Sequence, residues 1–268
     1  MNRRQTLLII FLIGSAIAGG IFFFTKKHAA PVAATAQVFT IKEAESLIGQ
    51  NKLVEGRKIY KDALSRLEDK PEAFKDAQKR VEELNMQILM SPQADENSIS
   101  YEIKSGDSLT KVARQNNTTV DLIKKVNNLQ SDNLRLGQKL KVINAKFYLA
   151  IDKAQNTLAL KSGNETIKTY LVATGKNNCT PVGTFKITNK LVDPTWFKAG
   201  MVLAADSPNN ILGPRWMGLD LKGYGIHGTV EPDKLGQQVS EGCIRMRNDE
   251  LIELYDIVPA GTEVTITD

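Results

Sequence analysis

Tyr224-Gly225-Ile226-His227-Gly228-Thr229 is followed by Ser240-Glu241-Gly242-Cys243-Ile244-Arg245-Met246. The two segments hold one reactive side chain each, His227 and, sixteen positions later, Cys243, both beside glycine. The 268 residues contain two histidines and two cysteines. His28 stands just after an apolar N-terminal run, which leaves His227 as the imidazole of a folded domain. A cysteine nucleophile attacks as its thiolate and needs a base or a cation beside it. His227 is the candidate base. Arg245 is the candidate cation, because positions 243 and 245 share a face if they lie on a strand. Gly242 would let a substrate backbone come close to the sulfur. N–H groups around Gly242 and Cys243 are candidates for an oxyanion hole. The plainer reading is that a cysteine in an apolar strand is a small buried hydrophobe and the histidine a structural residue. Zinc needs three or four ligands. With Cys179 the only other cysteine and no C-x-x-C pair, no metal is expected.

Around these segments the apolar period is two. Phe147, Leu149 and Ile151 alternate, as do Leu158 and Leu160, and turns are expected at 152–156 and 162–164. Further strands are expected at 167–173 and around Phe185 and Ile187. A helix capped by Asn248 carries Leu251, Ile252, Leu254 and Tyr255. Short strands at regular spacing with one late helix suggest a β-sandwich or barrel-like sheet.

Together, H-G-T, S-x-G-C-I-R-M and the helix at Asn248 resemble the L,D-transpeptidase catalytic domain (the YkuD family), over residues 146 to 268. Thr180-Pro181-Val182-Gly183-Thr184-Phe185 and Gly213-Pro214-Arg215-Trp216-Met217-Gly218-Leu219 look like that family's internal motifs. One departure is Glu241, where the family often has histidine. The resemblance implies a mainly β sandwich with Cys243 as nucleophile in a cleft, His227 as base and Arg245 beside them. It implies that Cys243 opens the bond before D-alanine in a peptidoglycan stem tetrapeptide. A second stem's side-chain amine would then take the acyl group, giving a 3–3 crosslink. His227 would be oriented by a main-chain carbonyl near Gly228 or by a hydroxyl such as that of Ser240. Tyr224, Trp216 and Arg215 are candidates to shape the donor cleft. Rival readings are an L,D-carboxypeptidase, an enzyme that anchors proteins to the wall, and a non-catalytic wall-binding protein.

The net charge is +5, but Arg3, Arg4, Lys26 and Lys27 supply four of these charges. The remainder carries no basic stripe with interleaved aromatics, so no nucleic-acid partner is expected. No Gly-rich cofactor loop is present. Leu7 to Phe24 is an uncharged run of eighteen residues, long enough for a membrane-spanning helix. With Arg3 and Arg4 before it, it reads as an uncleaved anchor, residues 1–36 forming anchor and linker. A cleaved signal ending at Ala34-Thr35-Ala36 is the alternative. An envelope enzyme facing the periplasmic or extracytoplasmic side follows from the wall chemistry. In that oxidising compartment a Cys179–Cys243 bridge would disable the site, so Cys179 is expected free.

Residues 37–92 have a helical period. Thr40 and Glu43 make a capping-box signature, and Pro71 suits the first turn of a later helix. Two or three amphipathic helices, loosely like a tetratricopeptide unit, are expected as a spacer, followed by a linker at 91–98. Residues 99–144 read as β-α-α-β, with Asp107 or Ser108 capping the first helix and Thr118 the second. Tyr101-x-Ile103-Lys104-Ser105-Gly106-Asp107-Ser108-Leu109, Val126-Asn127-Asn128-Leu129 and Leu134-x-Leu136-Gly137-Gln138-Lys139-Leu140 resemble a LysM domain. That resemblance implies binding of peptidoglycan glycan strands through Gly106, Asp107, Ser108, Asn128 and Leu129.

Overall fold

The computed structural model describes residues 41–198 and 200–268. The apolar run Leu7 to Phe24 and the capping residue Thr40 lie outside these residues. Among the described residues no helix is long and apolar enough to cross a membrane.

Helix α1 (41–49) leads into α2 (Leu53–Leu64) and α3 (Pro71–Met90). Pro71 is the first residue of α3, where its missing N–H costs nothing. Ala44, Tyr60, Leu67, Ala77, Val81 and Leu84 close a small core between the helices. One such unit cannot bury its outer face alone, and here the large C-terminal sheet covers it. The helices are therefore docked rather than a free spacer. Residues 91–98, expected as a linker, are an anchor as well. Arg57 is buried and donates to Asn85 Oδ1 at 3.1 Å and to Glu96 at 2.7 Å. It also pairs with buried Asp95 at 3.5 Å. A charge removed from water needs such partners on several sides.

The β-α-α-β unit consists of β1 (Ser98–Glu102), α4 (Leu109–Gln115), α5 (Val120–Val126) and β2 (Lys139–Ile143). Its strands pair antiparallel from Ser98↔Ile143 to Glu102↔Lys139. Ser108 caps α4 by accepting from Lys111 N–H at 3.2 Å. The cap of α5 is Thr119, one position beyond the expected Thr118, accepting from Leu122 N–H at 2.9 Å. Ile103, Leu109, Val112, Ile123 and Leu140 form its own core. Leu122 and Val126 on the other face of α5, with Met86 and Leu89 of α3, enter the core of the region that follows. Lys141 of β2 sends its ammonium to Ile88 O at 2.6 Å and Ser91 O at 2.9 Å. It thereby fills the negative C-terminal end of α3. Burial pushes its pKa down to about 8.

The C-terminal region begins with β3 (Phe147–Asp152), β4 (Thr157–Ser162), β5 (Glu165–Leu171) and β6 (Thr174–Gly175). Next come β7 (Gly183–Val192), β8 (Trp196–Lys198), β9 (Met201–Leu203) and β10 (Arg215–Leu219). The chain ends with β11 (Gly225–His227), β12 (Gln238–Ser240), β13 (Ile244–Arg245), α6 (Asn248–Ile257) and β14 (Glu263–Thr267). Eight strands form one sheet in the order β13-β11-β10-β7-β14-β3-β4-β5. Strand β7 serves two halves, residues 183–186 pairing with β14 and the remainder with β10. Arg245 and Ala173 exchange backbone hydrogen bonds of 2.9 Å, so the first strand meets the segment after the last. The result is a mainly β region built on one curled sheet, the barrel-like form of the two that the spacing of short strands suggested. Leu149, Ile151, Leu158, Leu160, Ile226 and Ile244 fill its concave side with α6. Edge strand β5 is covered by α3, where Glu82 accepts from Thr169 N–H and Oγ1 at 3.0 Å each, a common protection for an unpaired edge.

Candidate active site

Strands β11 and β13 run parallel, with Ile226 opposite Ile244 and His227 opposite Arg245. The two isoleucines point into the core, so alternation turns His227, Arg245 and Cys243 to the other face. There they line one cavity of about 360 Å3 with Trp216, Glu241, Leu191, Trp196 and Leu212. The sheet curvature thus brings the expected histidine, cysteine and arginine to one cleft.

His227 Nδ1 lies 2.8 Å from Gly228 O. A carbonyl only accepts, so Nδ1 carries the proton and Nε2 holds a free lone pair. This decides the orienting group left open between Gly228 and Ser240. Trp216 stacks on the imidazole at 5.7 Å with 21° between the planes. His227 is 2 % exposed. Burial, and after it the charge of Arg245, pushes its pKa down to about 4. The imidazole is neutral at pH 7. The Cys243 thiol donates to Gly223 O at 3.5 Å. Burial raises its pKa more than Arg245 lowers it. The resting pair is therefore thiol and imidazole, which favours proton transfer during attack over a standing thiolate.

The loop before Cys243 is held from both sides. Ser240 Oγ donates to Cys243 O at 2.6 Å and accepts from Gly242 N–H at 3.0 Å. Thr180 Oγ1 donates to Gly242 O at 2.9 Å and accepts from Gly175 N–H at 2.7 Å. Gly242 has φ +123°, and a Cβ there would stand 2.7 Å from Tyr224 Cε1. The Tyr224 ring therefore requires glycine at 242, and the Gly242 N–H is taken by Ser240. Gly228 is equally enclosed, since a Cβ would meet Asn248 Oδ1 at 2.2 Å. Asn248 is the first residue of α6 and not its cap. Its Oδ1 instead accepts from Thr229 N–H at 2.9 Å and ties the H-G-T turn to the helix.

Trp216 lines the cavity, whereas Tyr224 and Arg215 do not. Tyr224 packs behind the cysteine loop. Arg215 donates to Pro214 O at 2.8 Å, and its guanidinium lies over the Tyr255 ring at 5.3 Å, away from the cleft. Arg245 Nη1 pairs with Glu231 Oε2 at 3.2 Å. Sequence reasoning passed over Glu231 and used Thr180 only as part of a motif. The motif was a usable signal for Thr180, but nothing local marks Glu231. Cys179 and Cys243 are both free. Among the described residues no three metal-ligating side chains cluster.

In the β-α-α-β unit, Gly106 has φ +79° and Asn128 φ +53°. Asp107 Oδ2 accepts from Tyr101 OH at 3.0 Å and Lys104 N–H at 2.9 Å. Leu129 packs on the core of the unit.

Residues 146–266 match the L,D-transpeptidase catalytic domain family (YkuD), and residues 101–142 the LysM domain. The candidate L,D-transpeptidase YqjB of Bacillus subtilis (strain 168) is 44% identical over 127 residues, 45% of this chain and 71% of that one. The candidate L,D-transpeptidase YkuD of the same strain is 33% identical over 175 residues, 63% of this chain and 98% of its own. The NMR structure of the catalytic domain of the E. faecium L,D-transpeptidase aligns at 24% identity over 45% of this chain and 96% of that one, with a TM-score of 0.38. On these matches of sequence, this chain belongs to the L,D-transpeptidase family, its catalytic domain preceded by a LysM domain.

Proposed function

We propose that the protein crosslinks peptidoglycan outside the cytoplasm through a thioester on Cys243. The observation that carries this reading is the cleft shared by Cys243 and a neutral His227 whose Nδ1 is pinned to Gly228 O. His227 Nε2 takes the thiol proton as Cys243 Sγ bonds to the carbonyl carbon of the third stem residue. The C–N bond to D-alanine breaks, and His227 returns the proton to the leaving amine. The Cys243 amide stabilises the oxyanion, because Ser240 occupies the neighbouring Gly242 N–H. Arg245 adds positive charge beside it. A side-chain amine of a second stem then attacks the thioester, gives its proton to His227, and leaves a 3–3 crosslink with the thiol restored. The LysM domain holds the glycan strand while this occurs, through Gly106, Asp107, Ser108, Asn128 and Leu129.

The test is incubation of the protein with a tetrapeptide-stem muropeptide, with products read by tandem mass spectrometry. The expected product is a dimer that has lost D-alanine, absent in Cys243→Ala. A tripeptide without dimer would instead make the protein a carboxypeptidase. Crosslinking that persists in Cys243→Ala would sink the mechanism.

A further inference from the structure

Lys153 lies in the turn between β3 and β4 and is 3 % exposed. Its ammonium donates to Thr180 O at 2.9 Å and Asn178 O at 3.4 Å and pairs with Asp268 Oδ1 at 2.8 Å. Its three N–H groups thus meet three acceptors. A charge withdrawn from water needs such partners on every side, whereas an apolar side chain of equal length needs none. Lys153 plays no part in the mechanism given above.

Three features connect this ammonium to Cys243. First, it fastens the 176–180 turn, in which Asn177 and Asn178 have φ of +52° and +59°, a region that residues bearing a β-carbon disfavour. The turn is held further by Asn178, whose side chain donates to Asp268 Oδ1 at 2.8 Å and whose N–H donates to Gln238 Oε1 at 3.2 Å. Second, Thr180 closes the turn and faces both ways. Its carbonyl accepts from Lys153, and its hydroxyl donates to Gly242 O at 2.9 Å. Third, Gly242 O and the Cys243 N–H belong to one peptide unit, which is planar and trans. The two groups point to opposite sides, so a hold on the carbonyl aims the N–H. Rotation of this unit turns ψ of Gly242 and φ of Cys243, and glycine resists it little. The aim is therefore set from outside the loop, by Thr180.

We infer that Lys153 is a positioning residue for acyl transfer at Cys243. By fixing the 176–180 turn, its ammonium keeps the Thr180 hydroxyl on Gly242 O and so directs the Cys243 N–H to the oxyanion. This role rests on the oxyanion-stabilising part proposed above for the Cys243 amide. Asp268 completes the arrangement, because it neutralises Lys153 and accepts from Asn178. Neither Lys153 nor Asp268 lines the cleft, so their effect reaches the reaction only through Thr180.

The experiment compares two reactions of Cys243 in the full chain, each read by mass spectrometry of the Cys243 peptide so that the free thiol of Cys179 does not contribute. p-Nitrophenyl acetate acylates the thiol through a tetrahedral oxyanion. Iodoacetamide alkylates it by displacement at a saturated carbon, with no oxyanion formed. Lys153→Met keeps the length of the side chain and removes its donors. Acylation is expected to slow about 10- to 100-fold in this variant, the effect of a misaimed group, while alkylation keeps the wild-type rate. Asp268→Ala, at an exposed side chain, is expected to slow acylation by a smaller factor and again to spare alkylation. Acylation at the wild-type rate in Lys153→Met, or acylation and alkylation falling in step, would overturn the assignment. Should Lys153→Met fail to fold, the same two readings of Asp268→Ala decide. A tetrapeptide-stem muropeptide run alongside separates this outcome from that of the proposed function. If the muropeptide leaves wild-type Cys243 unacylated, the substrate reading fails, and the ester still decides the role of Lys153.

Discussion

Asp107 and Ser108 in the LysM loop close their hydrogen bonds with Tyr101, Lys104 and Lys111, all within six positions. The Ser240–Arg245 loop leans on partners much farther along the chain. Gly242 O is held by Thr180, 62 positions away, the Cys243 thiol rests on Gly223 at 20, and Arg245 pairs with Glu231 at 14. The first loop can form as soon as its own segment folds. The second exists only after the sheet has curled and brought Gly175–Thr180 against β13. A site built in this way is as cooperative as the fold itself, and damage to a remote hydroxyl reaches Cys243.

Substitutions can sharpen this contrast. The largest effect after Cys243→Ala is expected for His227→Gln, which keeps a polar side chain but removes the base. Acylation measured by intact mass should slow by about 10²–10⁴-fold. Next is Thr180→Val, which leaves Gly242 O and Gly175 N–H without their partner. Thermal unfolding should show a loss of about 1–3 kcal/mol, with acylation slowed about tenfold as the loop loosens. Were Thr180→Val neutral for both, the remote support described above would be wrong.

A subtler test uses pH. His227 is a base only when neutral, and its pKa lies near 4. Acylation should thus hold its rate down to about pH 4 and fall below it, not near the ordinary imidazole value of about 6.5. Arg245 contributes to the depression, so Arg245→Met should move this acid limb upward. Glu231→Gln should move it downward by leaving Arg245 less neutralised. Limbs that shift together in one direction would break the electrostatic argument. The smallest effect is expected in the other loop. Ser108→Ala should cost the α4 cap about 1 kcal/mol, seen in hydrogen exchange of residues 109–115, and leave acylation of soluble stems unchanged.

Much of this was legible along the chain. The alternation of Phe147, Leu149 and Ile151 announced β3, and Pro71 marked the start of α3. The strings around His227 and Cys243 marked the L,D-transpeptidase family, because both pairs of glycine and reactive side chain stand at short, readable spacing. Less legible were the roles of their neighbours. Arg215 looks equivalent to Trp216 in sequence, yet one packs on Tyr255 while the other stacks on His227. Adjacent strand residues face opposite sides, and which side is the cleft depends on sheet curvature. Asn248 carries every sign of a helix cap, but its side chain is drawn to Thr229 N–H instead.

By itself, then, the sequence determined the elements, the LysM and catalytic segments, and the identities of His227 and Cys243. These are written in local periodicity and spacing. Only the tertiary structure decided that α3 is docked on β5, that Gly228 O orients His227, and that Thr180 and Glu231 support the site. Those outcomes depend on contacts between residues distant in the chain, where the burial of apolar faces chooses which segments meet and the polar groups left inside must then find partners.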